Sequence, residues 1–168
     1  QAVQELAYTE TALGVLPLGT FNNFAASLNI PRDLHAALRL LWEGKVTEVD
    51  LGKVDAYYFT EAAGAGLSAD FVALNGTDGR KNLLRTLYAA ASVFAQNKHY
   101  PMKLLLDGKL YEAPLSLCLV ANSYRMGMSI PVASGAVMND GTLNVILVES
   151  LERDEWWHYS KATWSQML

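Results

Sequence analysis

Leu13-Gly14-Val15-Leu16-Pro17-Leu18-Gly19-Thr20-Phe21-Asn22-Asn23-Phe24-Ala25 decides the fold, because an apolar run breaks at proline and glycine and passes at once into polar, helix-starting residues. A strand that delivers a loop to a ligand has this shape. The run before Pro17 is short and uniformly apolar, which suits a strand covered on both faces, as in a parallel sheet. Only residues 1–11 come before it, too few for another strand with its crossover helix, so the expectation is a piece of something longer.

Downstream, Asn22 or Asn23 is placed to cap a short helix through Leu28 that Pro31 closes. A clearer helix follows. Leu34, Ala37, Leu38, Leu41 and Trp42 fall on one face, with Asp33 near the N-terminus and Gly44 set to end it. Residues 46–54 and 57–63 are rich in β-branched and aromatic side chains and are separated by Asp55, which predicts two antiparallel strands. After a dense turn signal at 75–79, helical spacing returns with Leu84, Leu87, Tyr88, Ala91, Phe94 and Ala95 on one face. Asp107-Gly108 between the apolar runs 102–106 and 110–121 predicts a hairpin. Residues 142–149 read as another strand and 152–168 as a helix. That helix carries Trp156, Trp157, Tyr159 and Trp164, whose aromatic bulk calls for a later element to bury it. The fold class is therefore α+β, with a strand-loop-helix remnant over residues 1–45 and a β-rich domain over residues 46–168.

About half of the 168 residues are apolar, enough for a core of its own. Thirteen basic against seventeen acidic side chains leave a net charge of −4, which argues against a nucleic-acid partner, since that affinity comes mainly from Lys and Arg on phosphates. Cys118 stands alone in an apolar run and reads as a buried thiol with no disulfide framework, which fits a reducing, cytoplasmic setting. No apolar stretch approaches the roughly 20 residues that a spanning helix needs. Asn75-Gly76-Thr77 matches a glycosylation sequon and reads here as a turn.

Three segments carry candidate chemistry. The bend at Gly19, Thr20 and Asn22 precedes a helix, where free amides and a threonine hydroxyl favour a phosphate; the alternative, that Thr20, Asn22 and Asn23 only cap the helix, stays open. Asp140, in the turn 137–143, offers a carboxylate to a hard cation while nearby main-chain oxygens complete the shell, as magnesium prefers. A plain turn between strands is the commoner use of Asp-Gly. Gly64-Ala65-Gly66-Leu67-Ser68-Ala69 superficially matches a dinucleotide fingerprint but lacks an acidic residue at a following strand, so close backbone packing explains its glycines better. His35, His99 and His158 show no ligand spacing.

Taken together, these pieces resemble the diacylglycerol kinase catalytic family, the bacterial lipid kinases related to sphingosine kinases. The opening stretch with Leu28-Asn29-Ile30-Pro31 matches the family's L-G-I-L-P-x-G-T-x-N-D-F-A-R-x-L-G-I-P segment nearly end to end. Val49-Asp50-Leu51-Gly52 resembles its V-D-L-G strand, Ala121-Asn122 its V-A-N, and Pro131 through Asn139-Asp140-Gly141-Thr142-Leu143 its P-x-A…(D/N)-D-G-x-L turn. Within these matches Phe21 occupies a position that is usually small, Asn23 replaces an aspartate and Ala26 an arginine. Met126-Gly127-Met128 stands for three glycines.

The resemblance implies an N-terminal nucleotide-binding α/β domain and a β-sandwich-like second domain of the NAD kinase-like fold, with ATP as phosphoryl donor, magnesium, and a diacylglycerol-like lipid as acceptor. Thr20, with Gly19 and Asn22, would meet the nucleotide. Asp140 would bind magnesium beside the main-chain oxygens of Val137 and Thr142. The family's G-G-D-G-T and D-G-E segments, the latter with the presumed general base, occur nowhere in the 168 residues, so no catalytic residue is assigned and the isolated chain is expected to be inactive. Peripheral contact with a bilayer and homo-oligomerisation are compatible with this composition. The alternative is a non-catalytic β-rich binding or oligomerisation module derived from the kinase scaffold.

Overall fold

The change from helical to strand-like texture near residue 46 is carried into a computed structural model of the chain, which describes residues 2–75, 83–96, 98–126 and 129–149. In chain order the elements are helices α1 (Ala2–Leu6), α2 (Asn23–Ser27) and α3 (Leu34–Glu43), then strands β1 (Gly52–Val54), β2 (Tyr57–Phe59) and β3 (Ala62–Gly66). Helices α4 (Leu67–Asn75) and α5 (Leu83–Gln96) follow. Strands β4 (Tyr100–Leu106), β5 (Lys109–Leu115), β6 (Leu117–Ala121), β7 (Arg125–Met126), β8 (Ile130–Pro131) and β9 (Asn144–Val148) complete the series. The sheets are β1-β2, β4-β5, β7-β8 and a three-stranded β3-β6-β9. The α+β expectation is met. Two compact units result, Gln1–Ala63 with Val120–Asn144, and Gly64–Leu119 with Val145–Leu168.

In the first unit, Asp33 and Gly44 bound α3 as expected. The Asp33 carboxylate accepts from Ala36 N at 2.8 Å, and Gly44 N donates to Leu40 O at 2.8 Å. Its apolar face is another matter: Ala37 is buried, whereas Leu34, Leu38 and Leu41 are exposed and Trp42 is 91% exposed. Residues 46–54 and 57–63 form a shorter hairpin than predicted, with Gly52 opposite Phe59 and Val54 opposite Tyr57. Helix α1, not anticipated from the sequence, joins it through Gln4, whose side-chain amide donates to Tyr58 O at 2.6 Å and accepts from Tyr58 N at 2.9 Å. The amide thus plays the part of a strand partner. The expected strand at 13–16 carries no ladder hydrogen bonds among the described residues, which supply no neighbouring strand for it. Gly14 instead lies close to the Leu41 side chain.

The run 57–63 breaks into β2 and β3 because the backbone at 60–61 is diverted to Asn122. That side chain is fully buried, and its Nδ2 donates to Asp50 O at 2.6 Å and to Thr60 O at 3.2 Å. Its backbone N donates to Glu61 O at 2.8 Å, and Ser123 N reaches the same oxygen at 3.2 Å. Three separate segments meet on one side chain.

In the second unit, β4 and β5 form the hairpin that Asp107-Gly108 predicts. Both turn residues have positive φ, 46° and 80°, the conformation a two-residue turn needs to match strand twist. Lys103 and Glu112, opposite each other, form an ion pair at 2.6 Å. Strand 110–121 is divided into β5 and β6 at Ser116, which is buried with its N donating to Val148 O and its O accepting from Leu67 N. Gly66, at φ +76°, lies where an added Cβ would sit 2.5 Å from Ser116 O, so close packing accounts for it as expected. Helix α5 differs from its predicted face: Ala89 and Val93 are buried, while Leu84 and Tyr88 are exposed. Thr86 Oγ1 donates to Asn75 Oδ1 at 3.0 Å, tying α5 to the end of α4. Cys118 is buried as expected, and desolvation pushes its thiol pKa up. The turn 76–79 and the helix expected over 152–168 lie outside the described residues.

Asn122→Ala is expected to lower the free energy of unfolding by about 1–3 kcal/mol, because two half-buried carbonyls lose their donor. Exposed Glu48→Ala should stay within about 0.5 kcal/mol. Urea denaturation of both variants checks this.

Candidate functional site

Leu18 N donates to Leu16 O at 2.9 Å, so the chain turns tightly at Pro17. Gly19 and Asn22 then lock the bend between them. Gly19 N donates to Asn22 Oδ1 at 2.7 Å, and Asn22 Nδ2 donates back to Gly19 O at 2.8 Å. Asn22 takes the left-handed conformation, φ 54°, that asparagine tolerates better than most residues. It stands at the N-cap of α2, yet its side chain caps nothing; it holds the bend. The capping alternative is corrected accordingly, and Asn23 becomes the first residue of the helix. Leu18, Gly19 and Thr20 are exposed, so the bend is open to solvent. With the Gly19 amide engaged, the groups left to meet a ligand are the Thr20 hydroxyl and amide, which have no partner among the described residues.

The turn at 137–142 is tied to Asp50, which lies just before β1. Asp50 N donates to the carbonyl of buried Met138 at 2.7 Å, and Asp50 Oδ2 accepts from Gly141 N at 2.8 Å. Gly141, at φ +75°, presents that amide from a backbone shape other residues adopt at a cost. Asp140 Oδ1 accepts from Thr142 Oγ1 at 2.7 Å and from Thr142 N at 2.9 Å. The hydroxyl first and the amide second hold the Asp140 carboxyl below its ordinary pKa. Val137, Asp140 and Thr142 are exposed, and the carbonyls of 137 and 142 accept no backbone hydrogen bond among the described residues. One carboxylate with main-chain oxygens is a hard donor set that suits magnesium, which keeps several waters. No group of three His, Cys, Asp or Glu converges among the described residues.

Between bend and turn runs a connection that sequence reading missed. Buried Asn23 accepts from Ser129 Oγ at 2.9 Å, Ser129 O accepts from Arg125 Nη1 at 2.8 Å, Arg125 O accepts from Ser123 Oγ at 2.8 Å, and Ser123 N donates to Glu61 O at 3.2 Å. The Glu61 carbonyl is held by Asn122, and Asn122 holds Asp50, which holds Gly141. A continuous chain of hydrogen bonds therefore links residue 23 to residue 141. The signal was present in the sequence as an acidic residue inside the otherwise apolar, aromatic run 57–63, a place where carboxylates need partners.

Burial raises the Glu61 pKa, and the polar Asn23 side chain opposes part of that rise. The folded protein thus holds this proton more tightly than the unfolded chain. The resulting stability is complete below the ordinary glutamate value and is lost as pH climbs through the raised one. Relative to wild type, Glu61→Gln is expected to gain a few tenths of a kcal/mol between about pH 4 and pH 7, a small effect because the group is only half-buried. Urea midpoints measured across that range for both proteins check the sign.

The sequence profile of the diacylglycerol kinase catalytic domain matches residues 1–54, and that of the YegS C-terminal NAD kinase beta sandwich-like domain matches residues 62–160. A diacylglycerol kinase of Staphylococcus aureus (strain JH9) is 28% identical over 149 residues, covering 87% of this chain and 47% of that protein. A crystal structure of a diacylglycerol kinase from Bacillus anthracis str. Sterne superposes with a TM-score of 0.66 at 22% identity, over 95% of this chain and 52% of that one. A second structure from that organism gives 0.70 at 24% identity, over 98% and 54%. These two likenesses bear on the fold. The chain spans about half the length of the relatives it matches. With its motifs in family order and more than half of its length matched by the second profile, the chain belongs to the bacterial diacylglycerol kinase family that carries the YegS-type beta sandwich-like domain.

Proposed function

We propose that the protein carrying this chain transfers the γ-phosphoryl group of ATP to the hydroxyl of a diacylglycerol-like lipid. The observation that carries this reading is the hydrogen-bond chain from Asn23 through Ser129, Arg125, Ser123, Glu61, Asn122 and Asp50 to Gly141, which ties an exposed bend to an exposed acidic turn. Phosphoryl transfer asks a protein mainly for positioning and charge stabilisation, and a stiff polar connection behind two solvent-facing loops provides positioning. On this reading Thr20 meets the nucleotide phosphates, and the mutual Gly19–Asn22 pair fixes the bend that presents it. Asp140, with the main-chain oxygens of Val137 and Thr142, holds magnesium. The ion supplies positive charge that steadies the acidic turn. In the reaction the lipid oxygen bonds to the γ-phosphorus, the bond to the bridging oxygen breaks, ADP leaves, and the hydroxyl proton passes to a carboxylate base.

That base and the glycine-rich phosphate loop belong to the D-G-E and G-G-D-G-T segments, neither of which occurs in these 168 residues. The isolated chain is accordingly proposed to bind ATP poorly and to turn over nothing. Purified parent protein should phosphorylate diacylglycerol in mixed micelles with ATP and magnesium and stop on chelation, while the 168-residue chain should not. Turnover by the chain alone would overturn its assigned inactivity; a parent silent towards every lipid hydroxyl tried would favour the non-catalytic module. Thr20→Ala in the parent should raise the KM for ATP about tenfold or more, the value of one hydrogen bond to a charged group.

A further inference from the structure

We propose that helix α1 guards the free edge of the β1-β2 hairpin, and that without this guard two copies of the protein pair through β2. The proposal is independent of the phosphoryl-transfer reading. Its basis is a side chain that behaves as a strand. Gln4 Oε1 accepts from Tyr58 N at 2.9 Å, and Gln4 Nε2 donates to Tyr58 O at 2.6 Å. Alternate residues of an antiparallel strand direct their peptide groups to opposite sides, so Tyr58, bonded through both groups to Gln4, is the residue of β2 that faces away from β1. In a strand of three residues that is the whole outer edge. One amide therefore takes up both bonds that a neighbouring strand would make there.

A second feature converges on the same residue. Tyr8 follows α1 at φ 61°, in the left-handed region, where a bulky side chain is rare and glycine is the common choice at a helix end. Its ring stands edge-on to the Tyr58 ring, with centroids 5.7 Å apart and planes at 67°. Lys53 Nζ lies 5.4 Å from the centroid of that same ring. Residues 4–8 thus hold both the main chain and the side chain of Tyr58. Beside it the hairpin leaves an apolar pair uncovered, Tyr57 at 72% exposure opposite Val54 at 49%. Unpaired edge groups next to exposed apolar side chains are a template for a further strand. The strand that fits is β2 of a second copy. Antiparallel pairing about a two-fold axis sets Tyr58 opposite itself, so each copy exchanges its bonds to Gln4 for bonds to its partner. Residues 52–59 carry one cation, Lys53, and one anion, Asp55, so two copies meet there without net repulsion.

The test is sedimentation velocity of the full-length protein and its Gln4→Leu variant across a concentration series, with hydrogen exchange followed at the Tyr58 amide. Leucine keeps the size and helix propensity of residue 4 and removes both polar atoms. Gln4→Leu should self-associate about tenfold or more tightly than wild type, which corresponds to the net value of roughly one hydrogen bond. Its Tyr58 amide should exchange fast when dilute and slowly when concentrated. Adding Tyr58→Pro deletes the outward N–H at an edge position where proline is tolerated, and should return association to the wild-type level. In wild type the amide should be equally protected at every concentration. Wild-type protection that grows with concentration would overturn the guard, and this arm holds even if the variants fail to fold. Association unchanged in Gln4→Leu, or persisting after Tyr58→Pro is added, would overturn it equally.

Discussion

One buried amide holds three parts of the first unit together. Asn122 donates to carbonyls of residues 50 and 60 and, through its backbone, to that of residue 61. The half-buried carbonyls of residues 50 and 60 depend on this side chain for their donor, and folded proteins rarely leave such acceptors unpaired. The orientation of the amide is forced, since turning Oδ1 towards two carbonyls would set acceptor against acceptor. Its Oδ1 consequently finds no donor among the described residues. A leucine of similar size could fill the space, but it could not stop β2 and restart the chain as β3. The segments carrying Asp50 and Glu61 are positioned by this residue, so the polar connection behind the bend and the turn depends on it.

The legible parts of the sequence are those whose cause is local. Asp33 caps α3 with a side chain three residues from the amide it accepts, and Asp107-Gly108 sets a turn within two residues. Both could be read directly because neither needs a distant partner. The bend at Gly19 was legible as a bend, and it is exposed. What was not legible is how Asn22 spends its side chain. Capping α2 and closing on Gly19 are both local options for an asparagine, and the left-handed backbone at residue 22 selects the second.

Periodicity identified helices but did not say which stripe would be covered. In α5 the small residues Ala89 and Val93 are buried while Leu84 and Tyr88 face out, because close approach to a neighbouring element favours small side chains over large ones. In α3 the predicted stripe exists, yet of its five members only Ala37 is buried. Strand lengths failed for a related reason: 57–63 and 110–121 are each uniform in composition, and their breaks at Thr60 and Ser116 are imposed by hydrogen bonds from residues 62 and 32 positions away. No window of local sequence contains that information.

Behind the bend, buried Asn23 accepts from the Ser129 hydroxyl, and the Glu61 carbonyl accepts from the Asn122 and Ser123 amides. The network behind the bend is consequently arranged around acceptors and neutral donors. Arg125 brings a cation to it, and its guanidinium is engaged with Ser129 O at 2.8 Å and the Tyr124 ring at 4.9 Å. ATP brings several negative charges, and transferring its terminal phosphoryl group needs positive charge at the phosphates. These residues therefore supply geometry, while neutralisation has to come from a bound cation and from basic or amide-rich segments other than those of this network. On the reading proposed above, such a network shapes the nucleotide site, and the positive charge is supplied by other groups.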